Sequence, residues 1–215
     1  MTSVVVRALH SATTLSPRVS VTYPQYMTAT PTDSALMLRY KDGDIAAFEI
    51  LYRRHNDSLY RYLLRRCLNR EAAEDVFQEV WGKIIKARGN YRRTAKFTTF
   101  LYRVAHNCFI DHIRRNKRHL SKSDTDPDLC ASATDEPELA AEKGIARTRL
   151  NMALRELPDE QREVFLLHEE AGLTLDTIAQ VTGINRETAK SRLRYAMNKL
   201  KAALAEPAGE QETAS

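Results

Sequence analysis

At 215 residues and 43% hydrophobic content, the chain can build one or two modest domains but not a single large core. Its net charge of +5, with 28% charged residues, suits a nucleic-acid partner without proving one. Three scattered cysteines, Cys67, Cys108 and Cys130, form no CxxC pair. No apolar run reaches the ~18 residues of a membrane span, and no leader with a cleavage site is present. These features predict a cytoplasmic protein with reduced thiols and no membrane insertion.

Residues 1–32 are rich in Ser, Thr and Val, contain Pro17, Pro24 and Pro31, and carry no acidic residue. They read as a disordered N-terminal extension, with Met27 as a candidate start. Residues 33–120 carry 19 Lys/Arg against 10 Asp/Glu and read as four or five helices. Asp33 is the expected cap of a short first helix stopped at Gly43, and Asp44 the cap of a second. In that second helix Ile45, Phe48, Tyr52, Leu59, Leu63 and Cys67 recur at helical spacing.

A third helix spans about Arg70 to Arg88 and ends at Gly89-Asn90. At 100° per residue Ala73, Val76, Phe77, Val80 and Ile84 share one side. Asp75, Gln78 and Glu79 cluster on the other, with Trp81 near the boundary. An acidic and amide face interrupting a basic domain suits a basic or polar protein partner; the same pattern also suits a plainly solvated face. The following stretch interleaves charge and aromatics: Tyr91, Arg92, Arg93, Lys96, Phe97, Phe100, Tyr102 and Arg103. That mixture suits unstacked bases and a single-stranded backbone. A fourth helix starts near Thr98, with Leu101, Val104, Ala105, Cys108 and Phe109 inward. Arg103, Asn107, Arg114 and Arg118 project within one narrow sector, an amide among phosphate anchors. Phe100, Tyr102 and Phe109 are expected in the core.

Residues 121–144 reverse the charge, with 2 Lys/Arg against 7 Asp/Glu, and carry Pro127 and Pro137. They read as a flexible acidic linker. A second helical domain spans 145–204, followed by a loose tail at 205–215. After Leu157-Pro158 a helix buries Val164, Phe165 and Leu167 as scaffold. Then comes the sharpest local signal. A short helix, Thr174 to Val181, is followed by Gly183 for a left-handed turn, Ile184 to plug the corner, and Asn185 to cap a second helix. In that helix Ala189, Leu193, Ala196 and Leu200 form the buried stripe, while Arg186, Lys190 and Arg194 lie four apart on another face. Arg192 and Lys199 add charge nearby. This is a helix-turn-helix, whose second helix presents its first residues to base edges. Glu187 can accept from a cytosine amino group or favour the helix dipole. No strand-like alternation survives, so the predicted fold is all-α, two small helical domains with a helix-turn-helix in the second.

Taken together, these motifs resemble the extracytoplasmic-function sigma factors of bacterial RNA polymerase. Asp75-Val-Phe-Gln-Glu-Val-Trp81 resembles their polymerase-binding helix. Phe97-Thr-Thr-Phe-Leu-Tyr-Arg-Val-Ala-His-Asn107, with Asp111 and Arg114-Arg115, resembles their minus-ten reading region. Leu157-Pro-Asp-Glu-Gln-Arg162 and the helix-turn-helix through Lys190-Ser-Arg-Leu193 resemble their minus-thirty-five reading domain. The resemblance implies that Asp75, Gln78, Glu79 and Trp81 meet the clamp helices of the large polymerase subunit. It assigns minus-ten DNA to Arg92, Lys96, Phe97, Thr98, Arg103, Asn107 and Arg114, and a bracing role to Asp111. It assigns minus-thirty-five DNA to Arg186, Glu187, Lys190, Ser191, Arg192 and Arg194. It further implies docking on the polymerase flap, a linker whose negative charge stands in for RNA, and control by an anti-sigma factor. The chain departs from the family at Asp176-Thr177-Ile178-Ala179, where Glu-Ile-Ala is frequent, and at Phe100, where Trp is common.

Two other readings compete. An autonomous helix-turn-helix regulator would lack the polymerase-gripping face. An enzyme would need a site, but His10, His55, His106, His112, His119 and His168 form no ligand pair backed by carboxylates. No Gly-rich phosphate loop or nucleophile motif is present, so no catalytic residue, metal, cofactor or small-molecule substrate is expected.

Overall fold

The computed structural model describes residues 30–92, 96–120 and 141–205. Residues 1–29 of the N-terminal extension, most of the acidic linker with Cys130, and the tail from residue 206 lie outside the described residues. Every regular element among the described residues is helical. The first lobe comprises α1 (Asp33–Lys41), α2 (Ile45–Cys67), α3 (Arg70–Ala87), a 3-10 turn (Arg88–Asn90) and α4 (Phe97–Leu120). The second comprises α5 (Ala141–Arg155), α6 (Asp159–Glu169), α7 (Leu175–Thr182) and α8 (Arg186–Ala205).

Local chemistry sets most of these boundaries. Asp44 caps α2 by accepting from the Ala47 amide at 3.2 Å, as expected. The cap of α1 differs from the expectation. Thr32 Oγ1 accepts from the Ala35 amide at 3.3 Å, and Asp33 is the first helical residue. The Asp33 carboxylate is taken instead by α2, where Arg54 Nη1 donates at 2.8 Å and His55 Nε2 lies 2.8 Å away. A tertiary ion pair outbids the local cap, which the neighbouring threonine supplies. Asn69 caps α3 through the Ala72 amide at 2.9 Å, after Leu68 ends α2 in the left-handed region at φ 57°.

The first lobe closes around α3. Its predicted inner side, Ala73, Val76, Phe77, Val80 and Ile84, is buried. Rings carry the packing. Trp81 lies 5.7 Å from Phe48 edge-on, 4.9 Å from Tyr52 and 6.4 Å from Phe77, between ring centroids. Such pairs add about 0.5–1.5 kcal/mol each beyond burial of their area. Phe97, Leu101, Ala105, Cys108 and Phe109 line the inner side of α4. Burial pushes the Cys108 thiol up to about 11 and the half-buried Cys67 thiol up to about 12, so neither is a nucleophile at neutral pH.

In the second lobe α8 forms the spine, with α5, α6 and α7 packed against it. Ala189, Ala196 and Leu200 are buried and Leu193 is half-buried, which is the predicted stripe. The two lobes also meet each other, α2 against α6 and α4 against α7. The sequence, read as two tethered domains, did not anticipate this seam.

Trp81 holds three rings and the rotation of α3, so Trp81→Ala should lower the unfolding free energy by about 3–5 kcal/mol. Urea denaturation followed by circular dichroism measures this; a loss under 1 kcal/mol would mean the ring cluster is not a structural centre.

Candidate nucleic-acid interface

Three surfaces carry the predicted residues. The first is the outer side of α3. Asp75 and Gln78 are exposed there. Glu79 is only partly so, since Arg115 Nη2 donates to one oxygen at 2.6 Å and Lys83 Nζ sits 2.9 Å from the other. Burial alone would raise the Glu79 carboxyl, but hydrogen bonds from Arg115 and Lys83 outweigh it and hold the carboxyl below its ordinary value. Glu79 therefore stays charged while tying α3 to α4. Lys83 Nζ also lies 3.5 Å from Asp111, consistent with a bracing rather than a contacting Asp111. Trp81 does not belong to this surface. It is wholly buried in the ring cluster, so its expected contact with a partner is corrected to a core role.

The second surface runs from Arg92 along α4. Arg92, Lys96, Arg103, Asn107 and Arg114 are exposed, and Thr98 is half-buried. The helical sector predicted from spacing thus faces outward, where an amide and guanidinium groups stand in line. Phe97 is again a correction. It starts α4 on the inner side and packs 5.3 Å from the His55 ring, so it cannot stack on a base. The aromatic left at the surface is Phe100, half-buried with its ring 5.5 Å from Tyr91 and 6.4 Å from Phe97. The sequence pattern assigned Phe97 and Phe100 the opposite way. Placing the helix start at Phe97 itself would have revealed the swap, because Phe97 then falls in line with Leu101 and Ala105.

The third surface is the helix-turn-helix. Thr174 caps α7 through the Thr177 amide at 3.3 Å. Gly183 then takes φ 73°, a left-handed turn that residues with a Cβ adopt at a cost. Asn185 Oδ1 accepts from the Thr188 amide at 2.7 Å and starts α8. Arg186, Glu187, Lys190 and Arg194 are exposed along its outer side. Glu187 is 74% exposed and lies 3.2 Å from Arg186 and 3.9 Å from Lys190, while Asp176 of α7 lies 3.2 Å from Arg186. These carboxylates keep the cations extended over the helix start. Arg194 rests 5.2 Å over the Tyr195 ring. Arg192 is corrected: its side chain is 25% exposed and pairs with Glu160 of α6, so it braces the spine instead of facing outward. Ser191 is half-buried and donates to the Thr188 carbonyl at 3.0 Å. Lys199 is exposed and donates to the Glu156 carbonyl at 2.6 Å.

No group of three metal-ligating side chains comes together among the described residues. No described helix is long and apolar enough to cross a membrane. The chemistry on offer at these surfaces is charge, amide hydrogen bonding and two accessible rings, Phe100 and Tyr195.

Comparison with known proteins agrees with this division. Residues 51–119 match the family model described as Sigma-70 region 2, and residues 153–202 match Sigma-70, region 4. The ECF RNA polymerase sigma factor SigM of Mycobacterium tuberculosis is 30% identical over 168 residues, covering 78% of this chain and 82% of that protein. The RNA polymerase sigma factor YlaC of Bacillus subtilis is 28% identical over 156 residues, covering 72% of this chain and 90% of that protein. Two solved structures share the fold. CnrH in complex with the cytosolic domain of CnrY superposes with a TM-score of 0.59 at 23% identity, over 80% of this chain and 96% of that one. The sigma factor RpoE in complex with the anti-sigma factor NepR, from Bartonella quintana, gives 0.60 at 21% identity, over 73% and 96%.

The corner of the helix-turn-helix rests on Gly183 and Asn185. An added Cβ at Gly183 would meet nothing within 4 Å, so only backbone strain opposes it. Gly183→Ala should cost about 1–2 kcal/mol and Asn185→Ala about 1 kcal/mol. Thermal unfolding of the full chain measures both, and a neutral Gly183→Ala would show that the left-handed turn is not required.

Proposed function

The chain belongs to the ECF RNA polymerase sigma factors, and from that premise we propose which surfaces direct core polymerase to promoters and how. The observation that carries the reading is the outward projection, on one chain, of three separate charge patterns. Asp75 and Gln78 stand out on α3, Arg103, Asn107 and Arg114 on α4, and Arg186, Lys190 and Arg194 on α8.

Asp75 and Gln78 grip the clamp helices of the large polymerase subunit, with Glu79 fixing the face they stand on. The α8 residues hold the minus-thirty-five duplex: Arg186, Glu187 and Lys190 near base edges, Arg194 on phosphate. Arg92, Lys96, Arg103 and Arg114 hold the backbone at the minus-ten element. There Phe100 stacks on an unstacked base and Asn107 and Thr98 read it. Stacking contributes about 1–3 kcal/mol per base against an unstacking cost of a few kcal/mol, so capture of one or two bases tips the melted state. The protein works by binding in the cytoplasm, with no covalent step. Tethering both readings on polymerase makes two weak contacts jointly selective. One solved neighbour is a sigma factor bound to an anti-sigma factor, which supports control of this chain by a protein of that kind.

Asp75→Lys should abolish co-elution with core polymerase while leaving the circular dichroism spectrum unchanged. Lys190→Ala or Arg194→Ala should weaken duplex binding by the holoenzyme and lower its salt slope by about one unit if a phosphate contact is lost. Phe100→Ala should reduce open-complex formation on a promoter without reducing polymerase binding. A chain that ignores core polymerase yet shifts DNA by itself would favour the autonomous regulator instead.

A further inference from the structure

The start of α8 carries acid as well as base. Arg186 opens the helix, and its Nη1 donates to Glu187 at 3.2 Å while its Nε lies 3.2 Å from Asp176. Lys190, one turn further on, stands 3.9 Å from the other oxygen of Glu187. Asp176 reaches this point from the first turn of α7, because Thr174 caps that helix and the Gly183 corner lays it against α8. All four side chains are more than half exposed, so the core does not need them.

Two cations and two carboxylates thus share the helix start, and their net charge cancels. Arg194 stands apart from them. Its guanidinium rests over the Tyr195 ring, and an aromatic face attracts a cation without neutralising it. The outer side of α8 is divided along its length, with a neutralised end at Arg186 and Lys190 and a full positive charge at Arg194.

Duplex DNA of any sequence attracts free cations through its phosphates, and each phosphate neutralised steepens the salt dependence of binding by about 0.9 units. A cation already paired with a carboxylate gains little from a phosphate, and its carboxylate is then brought beside a second anion. Base edges are different. An arginine can give two hydrogen bonds to guanine O6 and N7, and a carboxylate can accept from a cytosine amino group. Paired charges therefore lose on a mismatched site and are compensated only where the bases offer matching donors and acceptors.

We infer that Asp176 and Glu187 determine specificity at the minus-thirty-five duplex, by withholding Arg186 and Lys190 from phosphates and so rejecting DNA whose base edges do not match. This rests on the reading of α8 given above, and it adds Asp176 of α7 to the residues that set which sequence is bound. A purely structural role would be different: both carboxylates lie in first turns, where they would only favour the helix dipoles.

The test compares wild type, Asp176→Asn and Glu187→Gln, each as the full chain assembled with core polymerase, with core polymerase alone as background. Two probes are titrated: a mixed-sequence duplex, and the duplex that the wild-type holoenzyme recovers from a randomised pool. Each substitution should tighten binding to the mixed-sequence duplex by roughly threefold, the scale of one exposed charge interaction, and steepen its salt slope by about one unit. Binding to the recovered duplex should not tighten, so the ratio between the probes falls by roughly threefold. A lowered melting temperature with an unchanged ratio would mark the carboxylates as helix stabilisers and overturn the inference, as would a wild type that enriches no sequence. If Arg194→Ala weakens both duplexes while the carboxylate variants leave the ratio alone, the reading of α8 stands and the filter falls. If Arg194→Ala and Lys190→Ala change neither duplex, the reading falls and the filter with it.

Discussion

The rotation of α3 about its own axis governs the first lobe, and the ring cluster at Trp81 sets that rotation. With Trp81, Phe77, Val80 and Ile84 committed inward against Phe48 and Tyr52, Asp75 and Gln78 have nowhere to go but outward. The same packing fixes α4, because Glu79 reaches across to Arg115 and Lys83 stands near Asp111. The partner face and the base-reading sector are therefore two outer sides of one packed pair. A shift in the core would move both.

The second lobe solves a different problem with a different device. Its reading helix is aimed by a corner rather than by rings. Gly183 turns the chain, Asn185 restarts it, and Ala189, Ala196 and Leu200 seat α8 against three short helices. Small residues at two of those three stripe positions let the helices approach closely. Arg192 completes the seating through Glu160, and the exposed Lys199 ties the far end of α8 to the Glu156 carbonyl. The division between structural and exposed cations is what gives the outer side its pattern.

Much of this was legible in the chain. The helices, the acidic side of α3, the outward sector of Arg103, Asn107 and Arg114, and the helix-turn-helix corner all follow from repeats and caps within a few residues of each other. The misreadings share a cause. Asp33, Trp81, Phe97 and Arg192 each had a plausible local role, and each was claimed by a residue distant in the sequence or by a helix start one residue away. Phe97 and Phe100 are three positions apart and lie near one face of α4, so spacing alone does not rank them; packing on the His55 ring buries Phe97 fully and leaves Phe100 half-buried.

The amino-acid sequence by itself determined the all-α character, the two-lobe order and the side of each helix that is apolar, because these depend on spacing along the chain. The tertiary structure alone decided which charged residues are spent inside the molecule. Arg66 and Glu163 look like ordinary surface charge in their own segments, and become a buried pair only because α2 and α6 come together from ninety-odd positions apart. Periodicity reports what a helix turns away from water; it carries no information about which other helix will be there to meet it.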